Sequence, residues 1–314
     1  MRNQLRNKVV AFFMTVIFII GAFFGFQVTA GEDVYVDDDA KGTMDGSSDH
    51  PYKKIQDAID KAEKKGKNVK IRKGTYRENI LIWKDVEVNG SDKDEVIIIA
   101  EDDDQPVAKM YHDTALRNVT VREGEVGIEV REGAKALINY CKVSDNDEDG
   151  IRVKEADVDH KKDVIIINSI IEKNDWSGIY VESRKFKIED NFVSENGKDG
   201  IDLARRSEGS VRSNHVKEND GSGIKVNIDG AEVYVKKNTL RDNDREGIEV
   251  RTKGERGFVQ IEKNKLYKND RWGISRIATQ PFSSDDWFVS LKIIADNLYW
   301  DNKTGDVAPV YNAF

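Results

Sequence analysis

The sequence predicts an all-β fold: a right-handed parallel β-helix, a solenoid of short strands, with an N-terminal capping helix. Three observations lead there. A tetrapeptide Gly-Ile-x-(Val/Leu) starts at Gly127, Gly150, Gly178, Gly200, Gly223 and Gly247, with a degraded copy at Gly273, at spacings of 23, 28, 22, 23, 24 and 26 residues. Asparagine stands four residues before six of those glycines, at 146, 174, 196, 219, 243 and 269. A second small polar column lies five residues earlier still, with Asn118, Cys141, Ser169, Asn191, Asn214, Asn238 and Asn264. Each unit holds three short segments in which apolar and polar residues alternate, the pattern of a half-buried strand. Three strands per ~24 residues, stacked on similar neighbours, make a parallel β-helix. Irregular turn lengths fit a right-handed coil, since left-handed hexapeptide coils need near-constant turns.

Composition narrows the class. Among 314 residues, 34% are charged against 38% apolar, with net charge −8, which excludes a multispan membrane protein. An acidic sequence pI near 5.3 excludes nucleic acid as a partner. The single cysteine, Cys141, excludes intramolecular disulfides.

Residues 1–30 read as a signal peptide. Arg2, Arg6 and Lys8 precede the apolar run Val9 to Phe26, and Val28-Thr29-Ala30 offers small residues at a cleavage site. The expectation is a secreted, periplasmic or cell-surface protein, touching a membrane only through this segment if it stays uncleaved. The β-helix should span 31–302, followed by a C-terminal tail over 303–314. A capping helix is expected at about 51–65: Ile55, Ala58, Ile59 and Ala62 form an i, i+3, i+4, i+7 stripe, with Ser48 or Asp49 as N-cap and Pro51 just inside. Trp287, Phe288, Leu298, Tyr299, Trp300 and Tyr311 supply aromatic area for a plug at the other end.

The asparagine columns are structural. An inward Asn at a corner bonds backbone groups and the amide of the next turn, removing unsatisfied groups that cost ~1–3 kcal/mol each. Cys141 shares that column and reads as a small buried filler.

This pattern resembles the right-handed β-helix repeats of the pectate-lyase-like superfamily. The stretches Val34 to Asp37, Pro51 to Ile59 and Gly74-Thr-Tyr-Arg-Glu-Asn-Ile80 resemble the first rungs and cap helix of its members. The superfamily includes lyases, hydrolases, epimerases and proteins with no known reaction. In its catalytic members, the face built from the Gly-Ile-x-Val strands holds substrate. The chain lacks Asp-Pro-His-Asp, Arg-x-x-Pro-x-x-Arg and Gly-His-Gly signatures, and none of His50, His112, His160 and His215 falls on that face.

Within Gly-Ile-x-Val, the middle residue faces outward, giving a column Glu129, Arg152, Tyr180, Asp202, Lys225, Glu249 and Ser275. Insertions after the motif, at 155–162, 252–257 and 277–285, would wall one side. The functional reading is an exported protein that binds, and cleaves or modifies, an acidic polysaccharide. Arg205, Arg206, Arg184 and Lys185 would meet uronate carboxylates, and Trp176 and Trp272 would stack on sugar rings. As a lyase or epimerase, Lys225 or Tyr180 would be the base and Arg152 or Arg205 the neutraliser of the enolate. As a glycoside hydrolase, it would use Asp202 and Glu249, two rungs or ~9.6 Å apart, at the edge of the ~6.5–9.5 Å inverting range. No organic cofactor is expected. Asp145, Asp147 and Asp149 resemble a calcium loop, although Ala156 stands where an EF-hand needs Glu. The alternative is a non-catalytic structural or adhesive solenoid, its outward column a soluble charge ladder. A copper-maturation accessory factor would need clustered Met, His or Cys, against four Met and one Cys here.

Overall fold

Apolar side chains at every second position force these short strands to bury one face, and stacking them in register does so along a continuous axis. The computed structural model describes residues 33–65, 68–156, 163–253, 257–278, 291–293, 296–309 and 311–312. Three parallel sheets run the length of the coil, of 11, 11 and 10 strands. Sheet I runs from Val34–Val36 to Leu291–Ile293, sheet II from Gly74–Arg77 to Leu298–Trp300, and sheet III from Ile80–Ile82 to Gly305–Val307. The Gly-Ile-x-Val strands all lie in sheet III. Ile128, Ile151, Ile179, Ile201, Ile224, Ile248 and Ile274 are fully buried in one column, each burial contributing ~1.5–3 kcal/mol.

Both polar columns are hydrogen-bonded ladders. The Asn146 amide donates to the Asn174 side-chain oxygen at 2.7 Å, and the same step repeats through Asn196, Asn219, Asn243 and Asn269 to Asn302. The second ladder climbs from Asn191 through Asn214, Asn238 and Asn264 to Asn297. Cys141 extends it downward: its backbone N–H donates to the Ser169 hydroxyl and its thiol to the Leu116 carbonyl. Burial pushes the thiol pKa up to about 12, so Cys141 is a filler and not a nucleophile.

The helix occupies Ile55–Lys65 and turns Ile55, Ala58, Ile59 and Ala62 onto the strands Val34–Val36, Val69–Ile71 and Ile80–Ile82. It starts later than residue 51 and is not capped by Ser48 or Asp49. Tyr52 pairs with Tyr35 and Asp37 through backbone hydrogen bonds, which holds the preceding segment extended. The buried Glu78 carboxylate supplies the cap instead, accepting the N–H groups of Ile55 and Gln56 at 2.8 and 3.0 Å.

At the far end, Gly305–Val307 pairs with the strand Trp272–Ala278, so sheet III continues past residue 302. Leu298 and Trp300 are exposed rather than forming a plug; Trp300 stacks on Tyr267 at 4.1 Å. Residues 1–30, Trp287, Phe288, His160, most of the three insertions and the side chain of Tyr311 lie outside the described residues. No described helix is long and apolar enough to cross a membrane.

Candidate active site on sheet III

The glycine of each repeat is set by close packing. A Cβ on Gly200 would stand 2.5 Å from Val216 Cγ1 and 2.7 Å from the Gly223 carbonyl of the next turn. With this corner fixed, register aligns the outward column: Glu129 pairs with Arg152, Arg152 with Tyr180, Tyr180 with Asp202, Asp202 with Lys225, Lys225 with Glu249, and Glu249 with Ser275. The expected stripe is therefore one physical row, ~4.8 Å per step.

Two further columns run beside it. The residues just before each glycine stack as Asp149, Ser177, Asp199, Ser222, Glu246 and Trp272, and those one position earlier as Glu148, Trp176, Lys198, Gly221, Arg245 and Arg271. Of these positions the sequence singled out Trp176, Trp272 and Asp149, but not the columns they belong to. The signal that was available is the alternation of acid and serine before the glycine.

Together the columns form an open cleft of about 540 Å³, lined by Glu125, Glu148, Asp149, Arg152, Lys154, Trp176, Ser177, Tyr180, Glu182, Lys198 and Asp202. At its C-terminal end Lys225 Nζ sits 2.7 Å from Asp202 and 3.1 Å from Asp199. The Asp199 carboxylate also accepts the Ser222 N–H at 2.7 Å, which fixes its orientation. Burial raises the Asp202 carboxyl pKa to about 6, against the opposing pull of Lys225. Burial works against the Lys225 ammonium, but Asp202 and Asp199 outweigh it and hold its pKa above the ordinary value. Burial, then the charges of Glu182 and Asp202, push the Tyr180 phenol up to about 12. Arg152 is clamped by Asp149 at 2.7 Å and Glu148 at 2.6 Å. Burial raises the Asp149 pKa although Arg152 pulls it down.

Further along the same face the arrangement closes over. Glu249 and Glu246 are buried. Arg251 and Arg245 pair with Glu249, and the Ser222 hydroxyl donates to it at 2.8 Å. Arg245 and Arg271 flank Glu246.

Several expectations need correction. Tyr180 and Lys225 lie at the site, but both hold their protons at neutral pH and neither is poised as a base. Arg152 is engaged by two carboxylates and not free to neutralise a substrate. Glu249 is sealed and offers no surface to a sugar. Arg184 is fully buried, donating to the carbonyls of Arg131, Lys154 and Ala134, and burial lowers its pKa to about 10; it clamps successive turns and cannot reach a glycan. Arg205 and Arg206 are exposed on the turn after Ile201–Leu203 but do not line the cleft. Trp176 does line it, whereas Trp272 lies four strands away, ~19 Å, against the backbone of Gly305. Asp145 and Asp147 are exposed while Asp149 is buried on Arg152. Their oxygens do not converge: among the described residues the acidic trio with ligand atoms within 4.8 Å of one another is Asp102, Asp103 and Asp104, all exposed.

The family model described as "Right handed beta helix region" matches residues 107–270, more than half of the chain. The chain belongs to the right-handed β-helix family. Its solenoid is thus the right-handed form. No curated protein matches the sequence. Solved β-helix structures do match. The A-module of the mannuronan C-5 epimerase AlgE6 of Azotobacter vinelandii aligns with a TM-score of 0.60 at 15% identity, over 82% of this chain and 88% of that one. Pectate lyase Pel9A aligns with a TM-score of 0.61 at 13% identity, over 88% and 82%. Tailspike protein gp49 of the Acinetobacter baumannii bacteriophage Fri1, a capsular polysaccharide depolymerase, gives 0.50 at 9% identity, over 90% and 64%. At these identities the likeness is one of fold.

Proposed function

We propose that this β-helix protein binds a polysaccharide along the cleft of sheet III and cleaves it hydrolytically, outside the membrane that residues 1–30 address. The observation that carries the reading is the placement of Asp202. It lines the same open cleft as Trp176, and burial raises its pKa to about 6, so that towards mildly acidic pH a growing share of it is a carboxylic acid with a proton to give to a leaving oxygen. Asp149, two turns below and level with Asp199 in the column before the glycine, lines the same cleft as the second carboxylate that hydrolysis requires. A lyase or epimerase mechanism has less support, because the tyrosine and lysine are not poised to take a proton. The structural neighbours named as acting on polysaccharides are consistent with a glycan ligand.

Testing means incubating the full chain with uronate, neutral and amine-bearing glycans while following retention and new reducing ends. Retention with new reducing ends that Asp202→Asn abolishes supports the reading; absence of retention by every glycan refutes it.

A second reading, a non-catalytic surface solenoid, is favoured by one observation. Most cations of this face already pair with carboxylates of their own or adjacent turns, as expected for a charge ladder. Retention without any new reducing ends would favour a binding solenoid.

A further inference from the structure

The charge of the cleft selects among glycans, and on this point it departs from the acidic polymer the sequence suggests. Its lining sets five carboxylates against three cations. Two of those cations are already taken, Arg152 by Asp149 and Lys154 by Glu129 at 3.3 Å. The third, Lys198, is exposed and has no carboxylate partner among the described residues. Its Nζ stands instead 3.5 Å over the centre of the Trp176 ring, which is itself 38% exposed. An aromatic face that holds an ammonium, set in a lining of net negative charge, has the chemistry of a cation site. A uronate chain would meet repulsion there, and the exposed arginines on the turn after Ile201–Leu203 do not reach the cleft.

We infer that the ligand is an amine-bearing glycan, a chain of hexosamine units with free, protonated amino groups, and that Lys198 keeps the place of a ligand ammonium on Trp176. This rests on the polysaccharide reading above and specifies its substrate class. Lys225 occupies the second such place, bridging Asp199 and Asp202 two strands further along the same face. The two places lie two strands, ~9.6 Å, apart, about the length of two sugar units in an extended chain, so ammonium groups two units apart would meet them. Displacing Lys198 is inexpensive, because it is a surface side chain with no ion pair to break.

The test titrates the full chain calorimetrically with short β-1,4-linked glucosamine chains, their fully N-acetylated counterparts, galacturonate chains, and a lysine peptide of matched charge, at mildly acidic pH. The glucosamine chain should bind at least about tenfold tighter than the other three, and Trp176→Ala should remove about tenfold of that affinity. Lys198→Ala should tighten glucosamine binding severalfold, since it removes the ammonium nearest the ring and leaves only Arg152, 5.5 Å from its centre. Both positions are exposed, and an unchanged melting curve confirms that the variants fold. Preferred binding of galacturonate or the acetylated chain, or weaker glucosamine binding by Lys198→Ala, overturns the amine assignment but leaves the polysaccharide reading standing. Equal binding of the lysine peptide overturns recognition of a glycan in favour of a basic peptide. No binding of any sugar chain refutes the polysaccharide reading itself.

Discussion

Two clusters of carboxylates share the same columns of sheet III and have opposite characters. Around Asp202 the flanking positions hold Trp176, Lys198 and Gly221, and the acid stays open to a cleft. Around Glu249 the same positions hold Arg245 and Arg271, joined by Arg251 on the opposite flank, and the acid is sealed. Burial raises the Asp202 pKa with one lysine to oppose it. Burial also works against the Glu249 carboxylate, but Arg251, Ser222 and Arg245 outweigh it and hold its pKa low. Glu246, beside it, is raised by burial and by Glu249. Position in the repeat therefore gives only an outward address; the flanking turn decides whether the side chain is available for chemistry or locked into the scaffold.

Substitutions should separate the two. Asp202→Asn should lower glycan turnover by about 10²–10⁴-fold, as expected for loss of a general acid, with the fold retained by circular dichroism. Glu249→Ala should do the reverse, destabilising the protein by ~3–5 kcal/mol in a urea titration by breaking a buried ion-pair cluster. A loss of turnover with Glu249→Gln equal to that of Asp202→Asn would erase the distinction. Asn219→Ala, in the ladder behind both clusters, should cost ~1–3 kcal/mol by leaving the Asn196 N–H groups without their acceptor.

The smallest effect is in the pH dependence of stability, where the two acids contribute with opposite sign. Asp202 has a folded pKa above its unfolded one, so its stabilising contribution is complete below the unfolded value near 3.8 and is lost as pH rises to about 6. Glu249 has a lowered folded pKa, so its contribution is present above the unfolded value and is lost as pH falls through the folded one. Melting temperatures across that range should lose the first component in Asp202→Asn and the second in Glu249→Gln.

What could be read in the sequence follows from what is repeated. Each corner poses the same backbone problem, so asparagine returns at 146, 174, 196, 219, 243 and 269, and the inward isoleucines return with it. The outward column was legible for the same reason, since register copies it from turn to turn. The character of each outward residue was not, because it depends on neighbours that sit one repeat away. Arg184 reads as a solvent-seeking loop cation until three carbonyls from earlier turns surround it. The helix start reads as Ser48 or Asp49 until Glu78, 23 residues on from Ile55, takes the position. Trp176 and Lys198 belong to different repeats, and only stacking brings the ammonium onto the ring.

The side chains of the cleft come from successive windings of the chain, whose corresponding positions are 22 to 28 residues apart. The length of the recognition surface is thus set by copy number. Excising one whole winding would shorten the cleft by a single increment while rejoining matching corners, so the number of monomer units gripped could be dialled without redesigning any one contact.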